Sequence, residues 1–359
     1  MWVIILLKRL TFLLALLFIF PMTAYGADNS ARCAIVMDAD TGIILYEKNA
    51  YEERSIASTT KIMTALLAIE SDRLNETVKI TNEMLQTEGS SLGLREGDTL
   101  TLSDLVTGMM LTSGNDSANA VAFFISGGLN EFSALMNKRA AEIGMNNSYF
   151  VTPSGLDEGG HHSTAYDMAL LTATAVQNKT FCEIVSKQSA EIIIGKKKMT
   201  VYNHNKLLAR DKNFFGVKTG YTKKAGRCLV SAKNYNDSKL ICVTLSAPDD
   251  WNDHINLLKE CEKKYNKYDV SGNIEINVVG ADVQTVKATY QKDLYVLSDL
   301  KLEIYHCPFV YAPIKKGERL GWVYVYYNEK LIERLPIKAD EDVKYYAEQE
   351  RSTLTEVYG

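Results

Sequence analysis

The apolar residues of this chain form short strand-like runs at both ends of a long central region. Near the start of that region, Ala-Ile-Val-Met and Ile-Ile-Leu-Tyr flank a polar segment that ends in Gly42, so residues 33–47 are predicted to form a hairpin. Near its end, short runs rich in Val, Leu and Ile predict further strands, at residues 214–219, 227–233 and 239–246.

Between these two groups of strands the apolar spacing becomes helical. Over residues 59–70, Ile62, Leu66 and Ile69 recur on one face of a predicted helix. Thr101 and the residues after it resemble a capping box and predict the start of another helix. Further helical patterns cover residues 116–125, 130–144 and 165–177.

This order of elements predicts a mixed α/β (α+β) fold. Two strands come first, a helical region is inserted and three strands follow, so all of them can join one mostly antiparallel sheet that is packed by helices. From about residue 270 the apolar runs are separated by Gly and polar turns, which predicts a small all-β module. We therefore expect a main domain over residues 27–268 and a C-terminal β domain over residues 269–340.

The N-terminus has the pattern of a secretory signal peptide. Lys8 and Arg9 precede an apolar run over residues 10–20, and the Ala-Tyr-Gly that ends at Gly26 has the small-x-small pattern that signal peptidases recognise. The apolar run is roughly half of the ~20 residues that a spanning helix needs. Residues 1–26 are predicted to be cleaved, with an uncleaved N-terminal anchor as the alternative, and in either case the rest of the chain is expected to be exported.

The charge of the chain gives no electrostatic basis for binding nucleic acid. The formal net charge is -4, and losing Lys8 and Arg9 with the signal peptide would take it from -4 to -6. The longest basic run is residues 196–198, which follows Gly195 in a polar stretch and is predicted to be a solvated loop. A mildly acidic chain of this kind is not expected to bind DNA or RNA.

The cysteines and histidines predict neither a disulfide framework nor a metal site. Cys33, Cys228 and Cys242 lie in apolar, strand-like runs, which favours buried thiols, although an exported chain with six cysteines leaves disulfides as the alternative. His161 and His162 lie in a Gly-rich segment without an HExxH helix, and no CxxC spacing is present. No metal and no cofactor are therefore predicted.

Three short polar strings indicate chemistry because they occur together and in one order. The first lies at the start of a predicted helix, the second between two helical patterns, and the third at the end of an apolar strand. Each string alone is a common feature: a helix N-terminus, a turn, or a strand that enters a turn. The strings are Ser58-Thr-Thr-Lys61, Ser113-Gly-Asn115 and Lys218-Thr219-Gly220. The set is typical of class A β-lactamases and penicillin-binding proteins.

The wider sequence resembles the D-alanyl-D-alanine carboxypeptidases, which are penicillin-binding proteins of low molecular mass. The resemblance is carried by Thr112-Ser-Gly-Asn-Asp-Ser-Ala-Asn-Ala, His162-Ser-Thr-Ala-Tyr-Asp-Met-Ala and Lys218-Thr-Gly-Tyr-Thr, and it covers roughly residues 30–343. It implies a β-lactamase/transpeptidase-like fold with that family's C-terminal β domain. It also implies an enzyme that removes the terminal D-alanine from peptidoglycan stem peptides and that β-lactam antibiotics acylate.

The resemblance implies that Ser58 is the nucleophile and that Lys61 is its base. A serine hydroxyl needs an adjacent base near neutral pH, and a lysine can serve only if its amine is neutral. Burial and a second cation, Lys218, would both lower the pKa of Lys61. In the same scheme Ser113 relays a proton to the leaving D-alanine, and the backbone N–H groups of Ser58 and Tyr221 form the oxyanion hole.

The other residues of the strings are implied to bind the substrate. Asn115 would hold the substrate amide, and Lys218 with Thr219 would bind its terminal carboxylate. Gly220 would let the substrate backbone lie against the strand.

Two other classes of protein remain as alternatives. A class A β-lactamase needs a Glu that positions the deacylating water, and Glu142 begins an ExxxN string, but the helical pattern around it places its side chain on or near the solvent side. A non-catalytic cell-wall-binding module or β-lactam sensor would tolerate the loss of Ser58, Lys61 or Lys218, and the chain has all three. Both observations favour the carboxypeptidase.

The end of the chain bears on its location. Many relatives end in a basic amphipathic helix that lies on the membrane, whereas the predicted tail at residues 341–359 has more acidic than basic residues. Anionic lipids would repel such a tail. The expected location is the outer side of the cytoplasmic membrane, the cell-wall space or the medium, with membrane association left open.

Overall fold

The computed structural model describes residues 29–346, so the predicted signal peptide and most of the predicted tail lie outside the described residues. The helices are α1 (Lys61–Glu70), α2 (Leu102–Thr112), α3 (Asn115–Ser126), α4 (Leu129–Ile143), α5 (Ala165–Ala175), α6 (Lys179–Val185), α7 (Leu207–Arg210) and α8 (Asp250–Lys264). The strands before α8 are β1 (Cys33–Asp38), β2 (Ile44–Lys48), β3 (Thr77–Lys79), β4 (Thr99–Thr101), β5 (Ser189–Ile194), β6 (Lys197–Tyr202), β7 (Phe214–Thr222), β8 (Gly226–Tyr235) and β9 (Ser238–Leu245).

The antiparallel sheet predicted from the first and last strands is present. Its strands lie in the order β2-β1-β9-β8-β7, and every neighbouring pair is antiparallel. The early and late parts of the chain meet at the β1–β9 pair, where Val36 lies opposite Cys242. β7 is at the edge of this sheet, which leaves one side of its backbone open to another chain.

The inserted helices cover one face of the sheet, with α1 at their centre. Every residue of α1 from Lys61 to Ile69 is buried, and α1 packs against α2, α3 and α5. The predicted helix over residues 59–70 differs at its start, because Ala57–Thr60 form a 3₁₀ turn before the α-helix begins. On the other face of the sheet, α8 buries Leu257 and Leu258.

Several elements, most of them short, were not predicted from the sequence. These are the hairpins β3–β4 and β5–β6 and the helices α6, α7 and α8. The prediction of a loop at residues 196–198 was wrong in part, because Lys197 and Lys198 begin β6 and pair with β5. Their side chains are exposed, as expected, and Lys198 Nζ lies 2.7 Å from a carboxylate oxygen of Glu191. A two-stranded hairpin with one face in solvent has few apolar residues, so its sequence gives only a weak strand signal. The backbone pairing of β5 with β6 forms the strand although its first residues are lysines.

The C-terminal part is all β, as predicted. Its strands are β10 (Asn266–Val279), β11 (Thr285–Val296), β12 (Lys301–His306), β13 (Phe309–Tyr311), β14 (Arg319–Tyr327) and β15 (Lys330–Ala339), in the sheet order β12-β14-β15-β11-β10-β13. β10 begins directly after α8, so the predicted boundary at residues 268 and 269 falls inside this strand. The ring of Tyr295 lies 5.9 Å from that of Tyr265 and joins the β sheet to the end of α8.

All six cysteines lie among the described residues, and all are free thiols. Cys33, Cys228 and Cys242 are buried in strands, which confirms the interpretation of their apolar surroundings. The fold therefore rests on its apolar cores and has no disulfide in the part of the chain that the structure describes.

Candidate active site

The first polar string forms a tight turn that presents Ser58. Ala57, immediately before it, has a positive φ of 48°, an unfavourable backbone conformation for a residue with a Cβ atom. The turn is held by the loop that contains Gly155, because a Cβ atom at Gly155 would lie 1.9 Å from the Ala57 carbonyl oxygen. Only glycine allows this contact, so the packing of the Gly155 loop fixes the backbone conformation next to Ser58.

The amine of Lys61 lies at the centre of the site. The side chain is fully buried, at 0% exposure. Its Nζ is 2.9 Å from Ser58 Oγ, 2.7 Å from Asn115 Oδ1 and 2.8 Å from the carbonyl oxygen of Ser154. Three separate segments of the chain therefore meet at one nitrogen atom.

The electrostatic surroundings favour a neutral Lys61. Burial lowers the pKa of Lys61 well below its usual range, and the neighbouring charge of Lys218 lowers it further, while Asp116 acts in the opposite direction. The pKa of Lys218 is itself lowered by burial, to about 7. The direction of the shift at Lys61 is the one that was expected from the sequence.

The second string connects α2 to α3. Ser113 ends α2 in a left-handed conformation with a φ of 65° and lies in the wall of the cleft beside Ser58. Asn115 begins α3, and its Nδ2 donates to the Glu88 carbonyl oxygen at 2.6 Å. That bond fixes the amide orientation, so Oδ1 faces Lys61.

Asp116, which was not singled out from the sequence, supports this connection. Its carboxylate accepts from the backbone N–H of Leu92 at 2.8 Å and of Gly93 at 3.0 Å. It also accepts from Ser91 Oγ at 2.6 Å. The loop beside the second string is thereby tied to the start of α3, and its sequence signal is the acidic residue in the first turn of a helix.

The third string lies on the edge strand β7, against the turn that carries Ser58. A Cβ atom at Gly220 would lie 3.0 Å from the Ser58 backbone nitrogen. Lys218, only 1% exposed, donates from Nζ to the Thr219 carbonyl oxygen at 2.9 Å. Thr219 and Tyr221 face the cleft.

Two cavities lie along β7. One of about 310 Å³ is lined by Ser58, Ser113 and residues 219–221, together with charged residues of β8 and α8. The other, of about 690 Å³, is lined by residues 151–154, Thr222 and Lys223. All eight residues predicted from the sequence, Ser58, Lys61, Ser113, Asn115, Lys218, Thr219, Gly220 and Tyr221, lie in or directly beneath this cleft.

His161 secures the loop on the far side of Lys61. Its Nδ1 accepts from the backbone N–H of Val151 at 3.0 Å and of Thr152 at 3.3 Å, so the ring proton is on Nε2, which lies 2.9 Å from Thr60 Oγ1. Burial lowers the pKa of His161 to about 4. The neutral ring therefore connects this loop to Thr60, directly before the helix that carries Lys61.

Comparisons with known proteins show which family this chain belongs to. A family model described as D-alanyl-D-alanine carboxypeptidase matches residues 21–249. The chain belongs to the D-alanyl-D-alanine carboxypeptidase family. A second model, described as the C-terminal domain of penicillin-binding protein 5, matches residues 275–345. The family expected from the three strings is therefore confirmed.

The relatives of this carboxypeptidase chain cover most of its length. It is 30% identical to D-alanyl-D-alanine carboxypeptidase DacF of Bacillus subtilis, over 88% of this chain and 86% of that protein. It is 31% identical to D-alanyl-D-alanine carboxypeptidase DacC of Escherichia coli, over 92% of this chain and 90% of that protein.

Solved structures confirm the fold of this carboxypeptidase family member. Penicillin-binding protein 5 from Haemophilus influenzae matches with a TM-score of 0.67 at 26% identity, over 88% of this chain and 98% of that one. A peptidoglycan synthesis regulatory factor (PBP3) from Streptococcus pneumoniae matches with a TM-score of 0.77 at 22% identity, over 88% of this chain and 100% of that one, which shows a shared fold.

We expect His161 to make the folded protein sensitive to acid. Because its pKa is about 4 in the folded state and about 6.5 when unfolded, the unfolded chain binds more protons as the pH falls between these values. The stabilisation is fully present above pH ~6.5 and is lost as the pH falls towards ~4. The free energy of unfolding of the wild type, minus that of His161→Gln, should therefore be smaller by about 2 kcal/mol at pH ~4.5 than at pH ~7. Urea unfolding of both proteins at the two pH values would measure this difference. An equal advantage at both pH values would contradict the assignment.

Proposed function

We propose that this protein removes the terminal D-alanine from peptidoglycan stem peptides through an acyl-enzyme on Ser58. The observation that carries the proposal is the set of three oxygen atoms around Lys61 Nζ. Asn115 Oδ1 and the Ser154 carbonyl oxygen can only accept hydrogen bonds, whereas Ser58 Oγ can also donate one. A neutral amine has two N–H groups and one lone pair, so it matches these partners when its lone pair faces the Ser58 hydroxyl.

In this proposal Lys61 takes the proton of Ser58 as the serine oxygen attacks the carbonyl carbon of the penultimate D-alanine. The lowered pKa of Lys61 supplies the neutral amine that this step needs. The negative charge that develops on the carbonyl oxygen is stabilised by the backbone N–H groups of Ser58 and Tyr221. The close packing of Gly220 on the Ser58 nitrogen supports this placement.

The leaving D-alanine must receive a proton as the bond between carbonyl carbon and nitrogen breaks. Ser113 is proposed to relay it from Lys61, and its place in the wall of the same cleft supports that role. Water then attacks the ester on Ser58, which releases the shortened peptide and restores the hydroxyl. Penicillins are expected to acylate Ser58 in the same way.

The substrate is proposed to lie along the edge strand β7. An extended peptide can pair with the open edge of a sheet through its own backbone. The leaving D-alanine would occupy the smaller cavity beside Thr219, and the rest of the stem peptide would extend into the larger one beside Thr222 and Lys223. Asn115 would hold the substrate amide, while Lys218 and Thr219 would bind the terminal carboxylate.

The proposed cellular location rests on the signal-peptide pattern at the N-terminus and on the family membership. None of the helices between residues 29 and 346 is long and apolar enough to cross a membrane. Together with the signal-peptide pattern, the family membership supports an exported enzyme that acts in the cell-wall space. Its partners would be peptidoglycan stem peptides and, as covalent inhibitors, β-lactams.

The β-lactamase alternative receives no support from Glu142. Its side chain is 47% exposed, and its Oε2 lies 3.2 Å from Arg139 Nη1 on the outer side of α4. It is therefore not placed to position a water molecule at an acylated Ser58.

Ser58→Ala tests the assignment of the nucleophile. Ser58→Ala should remain folded but should lose both penicillin labelling and D-alanine release, because Ser58 supplies the hydroxyl next to Lys61. Intact-mass measurement and a D-alanine assay would check this. Ser90→Ala removes another hydroxyl from the cleft wall and should still be labelled. A penicilloyl adduct on Ser58→Ala would contradict the assignment, and labelling of the wild type without peptide turnover would indicate a sensor.

Lys61→Arg tests the assignment of the base. Lys61→Arg keeps a positive charge that cannot be removed at working pH, so acylation should slow by at least ~100-fold. In the wild type the acylation rate should rise as the pH increases through the lowered pKa of Lys61. Stopped-flow acylation across pH would test both, and near-normal acylation by Lys61→Arg would rule out Lys61 as the base.

Lys218→Ala separates two possible roles of Lys218. If it contacts the terminal carboxylate, Lys218→Ala should slow cleavage of a free-acid D-Ala-D-Ala peptide by roughly ten- to hundredfold, and cleavage of the amidated peptide much less. If it acts only by lowering the pKa of Lys61, both peptides should slow by the same factor. Measuring kcat/KM of the wild type and of Lys218→Ala on the free-acid and the amidated peptide distinguishes the two roles.

A further inference from the structure

The C-terminal sheet has an aromatic face that the proposed chemistry does not use. Along β14, Trp322, Tyr324 and Tyr326 alternate with two valines that are fully buried in the core of this domain. Because side chains alternate between the two faces of a strand, the three aromatic residues point away from that core. Tyr305 of the edge strand β12 lies opposite Trp322 and is 57% exposed, so it extends the aromatic face to the edge of the sheet.

Two arginines lie over the indole ring of this face. The guanidinium carbon of Arg334 is 3.6 Å from the centre of the Trp322 ring, and that of Arg319 is 4.6 Å from it. Arg334 lies on β15 directly opposite Tyr324, and its guanidinium carbon is 5.4 Å from the centre of that ring. Contacts of this kind attract a guanidinium to an aromatic face and restrict its movement.

The N–H donors of these two guanidiniums are available. Within residues 29–346, neither Arg319 nor Arg334 has a hydrogen-bond or ion-pair partner for its guanidinium group. Other arginines of the chain are neutralised, since Arg73 Nη2 and Arg139 Nη2 lie 2.9 Å and 2.7 Å from glutamate oxygens. Both residues of the aromatic face are exposed, so an anion can reach their donors from solvent.

The local charge of this face is positive. Lys338 lies opposite Arg319 in the β14–β15 pair and adds a third cation. Glu303 is the carboxylate that β12 contributes to this face, and its Oε1 lies 2.8 Å from Lys301 Nζ, so it is already paired. The whole chain has a formal net charge of -4, so attraction of an anion depends on this local patch.

Phosphate groups carried by a polyol match the chemistry of this face. A guanidinium can donate two parallel hydrogen bonds to the oxygens of a phosphate, and two guanidiniums beside one ring can bind neighbouring phosphates of a chain. Tyrosine offers an apolar ring for the carbons of a polyol and a hydroxyl for its oxygens. A phosphodiester-linked polyol presents both features, because phosphates alternate with hydroxylated carbons along it.

A membrane surface also bears phosphate groups, but the neighbouring charges oppose it. Residues 340–342, which follow β15, are all acidic, and residues 347–359 contain more acidic than basic residues. Anionic lipids would repel this end of the chain. A flexible polymer, unlike an extended bilayer, can contact the face alone.

We propose that the arginine–aromatic face, formed by Arg319, Trp322, Tyr324 and Arg334, binds a phosphodiester-linked polyol polymer of the cell wall. The two guanidiniums bind neighbouring phosphates, and Trp322 is their positioning residue. The choice of a wall polymer rests on the proposed export of the enzyme, whereas the phosphate site does not. Such binding holds the enzyme at the wall while its cleft acts on stem peptides.

The experiment measures the affinity of the purified full chain for soluble poly(glycerol phosphate) by isothermal titration calorimetry. Arg319→Gln and Arg334→Gln should each weaken binding about three- to fivefold, because each removes one set of charge-assisted hydrogen bonds at an exposed site. The double variant should lose about tenfold or more. Raising the salt from about 50 to about 500 mM should weaken wild-type binding, since exposed charges are screened.

Two further variants test how the site works. Arg95→Gln removes the same charge from an exposed position in the main domain and should leave the affinity unchanged. Trp322→Leu keeps both guanidiniums but removes the ring that positions them. Its affinity should fall about threefold while the slope of log Kd against log salt stays unchanged, because the number of charges is the same. Loss of the whole face through unfolding would lower that slope, and melting temperatures would show it.

Two other probes identify the source of the anion. Vesicles of phosphatidylglycerol present phosphate on a membrane, and poly-L-glutamate presents carboxylates on a soluble chain. Both should bind more weakly than poly(glycerol phosphate). Equal or tighter binding of the vesicles would assign the face to lipid, and equal binding of poly-L-glutamate would make it a general anion patch, so either result would overturn the proposal.

The remaining outcomes separate this inference from the proposed function. A wild type that does not bind poly(glycerol phosphate), a double variant that binds it like the wild type, or an equal loss in Arg95→Gln would each overturn the inference. If the Gln variants do not fold, Arg334→Lys decides, because unchanged affinity without the planar guanidinium would also overturn it. Penicillin acylation of all variants should match the wild type, since none of these residues lines either cavity along β7. A wild type that penicillin does not acylate would overturn the proposed function and leave the phosphate site standing.

Discussion

The catalytic arrangement depends on holding the amine of Lys61 away from water. An ammonium group buried without a compensating charge is costly, so a buried lysine lowers its pKa and becomes neutral. Here Lys218, a second buried cation, acts in the same direction. The neutral amine is satisfied by Asn115, Ser154 and Ser58, one from each of three segments of the chain. If any of these segments shifted, a polar atom would be left unpaired in the buried site.

Much of the surrounding structure serves to keep these segments together. Asp116 ties the start of α3 to the loop at residues 91–94. Gly155 allows its loop to pack directly on Ala57, and the neutral His161 links the same loop to Thr60. Because burial lowers the pKa of His161 to about 4, its ring stays neutral near neutral pH and keeps these hydrogen bonds.

Strand β7 lies at the edge of the sheet, between the turn that carries Ser58 and the two cavities. One face of the strand presents Gly220 to the turn of Ser58, and the other presents Thr219 beside Arg227. The proposed substrate position on this edge is separate from α1 and α3, whose residues surround the amine of Lys61.

The sequence by itself determined the family and the order of the main elements, and it singled out eight candidate residues that the fold brings together in or beneath one cleft. It could do so because these features follow from local patterns. The patterns are the residue spacing within three polar strings and the strand-like or helical spacing of apolar residues. Only the tertiary structure decided what is non-local: the 3₁₀ turn at Ser58, the contact of Lys61 with Ser154, the linking role of His161 and the pairing of Arg227 with Asp250. Residues 197–198 were misjudged for the same reason, since strand pairing outweighed a polar local pattern. Each of these features depends on the packing of segments far apart in the chain, and spacing along one segment carries no information about that packing.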